Sequence, residues 1–324
     1  MSLDRQAPVS SLGEDGVVAL LRDRFVVSPG AVGIGDDAAV FASPGDHLVM
    51  TTDTLMEGVD FALDYFSGMD LGWKAVAVNV SDLAAMGAEP SHAVATLCLP
   101  PRTSVGWVTD LIEGLAAAAD RWGVELVGGD LSSAEQVSLG LTLVGHTDAA
   151  VLRSGAGVGD AIAVSGALGG SAGGLHQLRR DPSATGPLVE RHRRPHPRLE
   201  LSRALREVPV GAMIDVSDGL LVDLGRLLAA SGRGCEVDPD LVPVDPALHG
   251  LGDLDPMQAA LFGGEDFELV FTLAGEEMQK VIAVGETIGV AVTRIGTVTH
   301  GGCLLGGTTF DQLEGKRWDH LQSP

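Results

Sequence analysis

An α+β fold in two domains follows from three features of the sequence. The chain has 324 residues, enough for two hydrophobic cores. Hydrophobic residues make up 45% and charged residues 20%, the balance of a globular protein. Helical and strand-like segments are interleaved without the strict strand–helix–strand alternation of a doubly wound sheet. A boundary is predicted between residues 147 and 153, giving domains 1–147 and 148–324.

Ser11-Leu12-Gly13-Glu14 has capping-box spacing ahead of Val17, Val18, Leu20 and Leu21, which predicts a helix ending near Phe25. Short β-like runs follow at Ala38–Phe41 and His47–Thr51. Leu71–Met86 is helical in pattern and stops at Gly87. A strand at Val94–Leu99, a helix at Val105–Trp122 and a strand at Val124–Val127 come next, then an alternating strand at Val137–Gly145. The second half opens with a strand at Asp160–Ser165 running into the glycine-rich stretch Gly166–Gly174. Between Arg179 and Arg206, eight cations fall against three acids, with four prolines interspersed. This segment is read either as a holder of phosphate oxygens or as solvated helix faces. Ala212–Val216 is a strand, Leu220–Ala230 a helix, and Pro239–Pro246 a loop.

The formal charge is −23, which excludes nucleic-acid binding through a broad basic face and disfavours an anionic membrane surface. No apolar stretch reads as a membrane span or a leader, so a cytosolic protein is expected. Cys98, Cys235 and Cys303 are too scattered for a disulfide framework or a metal site. The 44 glycines are about twice the usual share, which points to tight turns and close backbone approaches.

Walker, GxGxxG, HExxH and protein-kinase motifs are missing. Aspartates recur instead at the ends of apolar runs: Asp36 and Asp37, Asp53, Asp82, Asp130, Asp215 and Asp218. Each has a plain reading as turn or cap chemistry. As a series with few lysines nearby, they suit Mg²⁺, which takes hard oxygen ligands together with phosphate oxygens. Gly169-Gly170-Ser171-Ala172-Gly173 matches a hydrolase elbow, but the strand before it ends too early for a tight turn. His192 and His196 stand four apart without a nearby cysteine, which argues against zinc.

The motifs GIGDDAA, TTDTL, KAVAVNVSDLAAMGA, GGD, RSGA, IDVSDGL, GGEDFEL and RWDH, in this order, resemble the thiamine-monophosphate kinase family. That family lies within the wider superfamily of aminoimidazole-ribonucleotide synthetase, the PurM-like proteins. The resemblance implies a PurM-like fold, with an N-terminal mixed sheet that pairs in a homodimer and a C-terminal α/β sandwich. It implies ATP-dependent phosphorylation of thiamine monophosphate with several Mg²⁺ ions. Position by position, it assigns metal binding to Asp37, Thr51, Thr52, Asp53, Asp82, Asp130, Asp215 and Asp218. Nucleotide contacts fall on Gly129, Asp130, Arg153 and Ser217, and catalysis on Asp130, Asp218 and Arg153. Substrate contacts fall on Asp60, Glu265 and Trp318; the family commonly has His at the Asp60 position. The rivals are aminoimidazole-ribonucleotide synthetase itself and a non-catalytic metal-binding module.

Overall fold

The computed structural model describes residues 4–25 and 47–313. The predicted strand Ala38–Phe41 and the candidate residues Asp36, Asp37 and Trp318 lie outside them. The chain divides into two units, Met1–Leu83 with Ala88–Asp148 and Ala84–Gly87 with Ala149–Pro324.

The first unit holds α1 (Gly13–Arg24), β1 (His47–Met56), α2 (Gly68–Ala85), β2 (Glu89–Leu99), α3 (Val105–Trp122), β3 (Glu125–Ser133) and β4 (Ser138–Thr147). Its sheet runs β1-β4-β2-β3; β4 is antiparallel to both neighbours, and β2 and β3 are parallel across the α3 connection. Helix α3 starts where the Ser104 side chain accepts the Trp107 N–H and ends where Gly123 turns left-handed. The first helix is capped differently from the capping-box expectation. Its N-cap is Leu12, with no side-chain cap bond, because Val9–Ser11 already forms a 3₁₀ turn.

Glycine sets how closely α2 and α3 approach. A Cβ on Gly72 would overlap the Leu111 carbonyl oxygen, and one on Gly114 the Met69 carbonyl oxygen. The helices therefore touch backbone to backbone, with Trp73 and Trp122 in edge contact beside them at 5.0 Å between ring centroids.

The second unit holds β5 (Ala161–Ser165), α4 (Gly170–Arg180), α5 (Pro187–Arg193), α6 (Leu199–Leu205), β6 (Val210–Asp215) and α7 (Leu220–Ser231). These are followed by β7 (Gly234–Val237), α8 (Pro256–Phe262), β8 (Leu269–Leu273), α9 (Met278–Ile288), β9 (Val292–Thr299), β10 (Cys303–Leu305) and β11 (Thr308–Thr309). The sheet order is β11-β10-β7-β9-β5-β8-β6. Strands β5 and β8 are buried along their whole length, since both faces of the sheet are covered. Ile162, Val164 and Val270 enter one core with α7, while Ala161, Ala163 and Phe271 enter another with α6 and α9. This is the α+β, sandwiched architecture expected.

Residues 84–87 pack with the second unit: the Ser202 hydroxyl donates to the Ala84 carbonyl and the Val151 N–H to the Met86 carbonyl. Among the described residues, no helix is long and apolar enough to cross a membrane.

Candidate active site

In the first unit, the TTD and GGD motifs lie on β1 and β3, the two edge strands of the sheet, and strand register sets them at matching heights. Asp53, Leu141, Ala95 and Gly129 fall in one row across the sheet, and Thr54, Gly140, Thr96 and Asp130 in the next. Asp130 and Thr52 are exposed, while Thr51 and Asp53 are half-buried. The Thr51 hydroxyl donates to Asp82 Oδ2 of α2 at 2.5 Å, so two of the proposed metal-binding motifs meet directly. Asp60, in the turn after β1, accepts the Met56 N–H at 2.8 Å, and this bond shapes the turn.

Gly129 explains why the carboxylate of β3 follows a glycine pair. A Cβ there would overlap the Ala95 carbonyl oxygen of β2, whereas one on Gly128 meets nothing closer than Val94 Cγ1 at 3.6 Å. Gly129→Ala is expected to destabilise by roughly 1–3 kcal/mol through overpacking, while Gly128→Ala is tolerated. Urea midpoints of the two variants check this.

In the second unit, IDVSDGL and GGEDFEL lie side by side. The Glu265 N–H donates to the Ser217 carbonyl at 2.8 Å, and the Phe267 N–H to the Val216 carbonyl at 2.9 Å. Glu265 and Phe267 both have positive φ, +64° and +50°, a costly backbone for non-glycine residues. The VSDG turn is shaped from within by Asp223, whose Oδ2 accepts the N–H groups of Ser217, Asp218 and Gly219 at 2.8–3.1 Å. With those N–H groups taken, the turn presents side chains rather than a backbone nest for phosphate. Asp215 is buried, and Asp218 is paired with Arg226, which also reaches Asp223. Burial pushes the Asp223 carboxyl up to about 6. Arg153 is exposed, on a loop tied down by Ser231, whose hydroxyl donates to the Arg153 carbonyl and accepts from the Gly155 and Ala156 N–H groups.

Asp266 caps α4, accepting the N–H groups of Gly169 at 2.6 Å and Ser171 at 3.1 Å. Desolvation by burial pushes its carboxyl up to about 7, against the opposing pull of those two N–H groups. Its raised folded value means that the native state holds a proton the unfolded chain has released. Its contribution to stability is therefore complete below the ordinary 3.8 and is lost as pH rises through about 7. Between about pH 5 and 6, unfolding free energy should fall with a slope approaching about 1.4 kcal/mol per pH unit, and the slope should fade as pH passes about 7. Asp266→Asn should flatten that slope in denaturant titrations.

Ser171, His192 and Glu265 form a cluster that resembles a nucleophile triad in composition only. His192 Nδ1 lies 3.0 Å from Ser171 Oγ and 3.3 Å from Glu265 Oε2. A triad uses opposite ring nitrogens for serine and acid, and its serine must meet substrate. Here both partners share Nδ1, and Ser171 and His192 are buried at 1% and 2% exposure. The hydrolase reading therefore fails on geometry.

The arginine-rich segment largely braces the second unit. Arg198 donates to buried Glu268 through Nε at 2.6 Å and through Nη2, and Arg191 pairs with buried Asp245 at 3.0 Å. Arg180 pairs with Asp253, and Arg206 donates to the Gly87 carbonyl. The sequence reading missed Asp223, Asp266 and this Arg198–Glu268 pair. Only Asp223 left a local trace, as an acid in the first turn of the helix after Gly219.

The fold and these motif positions define a class first. The family model for the AIR synthase related protein N-terminal domain matches residues 35–147, and that for the C-terminal domain matches 157–304. A thiamine-monophosphate kinase of Rhodopirellula baltica is 42% identical over 299 residues, covering 88% of this chain and 89% of that protein. The crystal structure of thiamine-monophosphate kinase from Stenotrophomonas maltophilia superposes with a TM-score of 0.80 at 38% identity, over 91% of this chain and 96% of the other. AaThiL complexed with AMPPCP and TMP superposes with a TM-score of 0.78 at 34% identity, over 99% of each chain. The chain belongs to the thiamine-monophosphate kinase family.

Proposed function

We propose that this chain transfers a phosphoryl group from ATP to thiamine monophosphate by direct in-line displacement, yielding thiamine diphosphate. Domain 1–147 carries one set of the proposed metal-binding residues and domain 148–324 carries another. The observation that supports this best is the backbone bond from Glu265 to Ser217, which sets a substrate-matched residue against a nucleotide-matched one.

Donor and acceptor are both anions, repelling by about 4 kcal/mol per charge pair at ~4 Å and an effective dielectric near ~20. Magnesium, when bound, would neutralise this charge and steady the transferring group. The residues present fit it. Thr51 bonds Asp82 on one face of the first sheet, the face that Asp53 shares by strand alternation; Thr52 and Asp130 stand on the other face, and Asp215 precedes the VSDG turn that holds Asp218. Asp37 belongs to the same proposed set. No three His, Cys, Asp or Glu side chains converge as a ready cage among the described residues.

The protein's own groups orient the reactants. Ser217 offers its side chain to the nucleotide, since its N–H is committed to Asp223. Arg153 brings a fixed positive charge from its anchored loop. Asp60, Glu265 and Trp318 hold the thiamine monophosphate. A phosphate monoester with a second pKa of about 6 is already largely ionised at neutral pH, so the acceptor needs no general base.

We place the reaction in the cytoplasm, where ATP is available, and assign the chain to a homodimer through its first sheet. Leu48, Met50, Met56 and Val94 stand exposed there, on one face by strand register, and a second copy would cover them. Incubation of the purified protein with ATP, Mg²⁺ and thiamine monophosphate, followed by chromatography, tests the activity. Thiamine diphosphate is the expected product. Phosphate release on formylglycinamidine ribonucleotide instead would move the assignment to the synthetase.

A further inference from the structure

We propose that His192 is a positioning residue that, with Ser171 behind it, fixes the carboxylate of Glu265 for thiamine monophosphate. The inference rests on the reading of Glu265 as a substrate contact. Glu265 is held at both ends: its backbone is tied to Ser217, and its Oε2 lies 3.3 Å from His192 Nδ1. It is 29% exposed, so one side of the carboxylate faces outward while the imidazole behind it is buried. A carboxylate can only accept, so the contact requires the hydrogen on Nδ1. That same Nδ1 lies 3.0 Å from Ser171 Oγ, and the Ser171 backbone N–H is in turn held by Asp266.

The imidazole cannot drift away from this position. A Cβ on Gly174 of α4 would overlap the Leu188 carbonyl oxygen of α5 and come within 3.0 Å of the His192 Cβ. The two helices are thus in backbone contact, and α5 delivers His192 to Ser171 at fixed depth. A short helix within the arginine-rich segment therefore supplies the support of a candidate substrate residue 73 positions later, a role that neither the metal nor the nucleotide motifs explain.

Losing the support while keeping the fold should weaken recognition of the acceptor rather than the donor. His192→Leu removes the donor; His192→Asn keeps an N–H near the position of Nδ1. The expected result is a KM for thiamine monophosphate raised about tenfold in His192→Leu, the loss of roughly one charge-assisted hydrogen bond, with the KM for ATP unchanged. His192→Asn should recover most of that loss. A merely structural role would shift both KM values together, or leave Asn no better than Leu, and either outcome overturns the proposal. If His192→Leu does not fold, Ser171→Ala provides the same KM comparison with a smaller perturbation. A second readout is independent of turnover: ¹⁵N NMR of the imidazole should show hydrogen on Nδ1, shifted in Glu265→Gln. If the wild-type protein makes no thiamine diphosphate, the functional reading falls. The NMR signal still decides the contact, since hydrogen on Nε2 alone, or no response to Glu265→Gln, refutes it.

Discussion

Asp130→Asn lowers phosphoryl transfer to thiamine monophosphate by about 10²–10³-fold, the cost of removing one electrostatic stabiliser of a charged transition state. Its melting temperature stays that of the wild type, because Asp130 is exposed and surface substitutions move stability by about 0.5 kcal/mol or less. The contrast between the two measurements carries the information. A carboxylate that served only as a turn residue of β3 would change stability and leave turnover largely intact. Raising the Mg²⁺ concentration should restore part of the lost rate if the substitution weakens metal binding.

Arg198→Met destabilises the protein by about 3–5 kcal/mol, because it strands a charge in the interior. Glu268 is 1% exposed, and its Oε2 takes hydrogen bonds from Arg198 Nε at 2.6 Å and from the Ser165 hydroxyl at 2.5 Å. Gly166 passes so close that a Cβ there would overlap the carboxylate, leaving no room for rearrangement. Replacing both partners together, as Arg198→Met with Glu268→Gln, should recover much of the loss, since the buried charge is then gone. Urea denaturation of the three proteins checks the ranking.

Local signals in the sequence predicted local structure well. The boundaries of α3 coincide with the predicted Val105–Trp122 because Ser104 and Gly123 mark both ends chemically. Strand β1 was predicted only to Thr51 and runs to Met56, since Thr52, Asp53 and Thr54 are polar residues on a sheet left partly open. The family motifs named Asp53, Asp82 and Asp130, which fall in one unit, and Ser217 and Glu265, which the fold sets side by side in the other. What stayed hidden is long-range pairing. Arg198 meets a partner 70 residues away and His192 one 73 residues away, so neither their sequence neighbourhood nor their spacing could show that these cations and imidazoles brace the interior. Asp266 was invisible for the same reason, capping a helix that begins nearly a hundred residues earlier.

The short peptide 84–87, which groups with the second unit, has a consequence for how that unit can be inherited or made. A gene fragment beginning at residue 149 encodes a body with a missing piece. The Ser202 hydroxyl, the Val151 N–H and the Arg206 guanidinium would each lose an acceptor supplied by Ala84, Met86 and Gly87. The two halves are thus not interchangeable cassettes. On the ribosome, that peptide emerges long before its partners, and the second sheet cannot close until β9, which lies between β7 and β5, has also been synthesised.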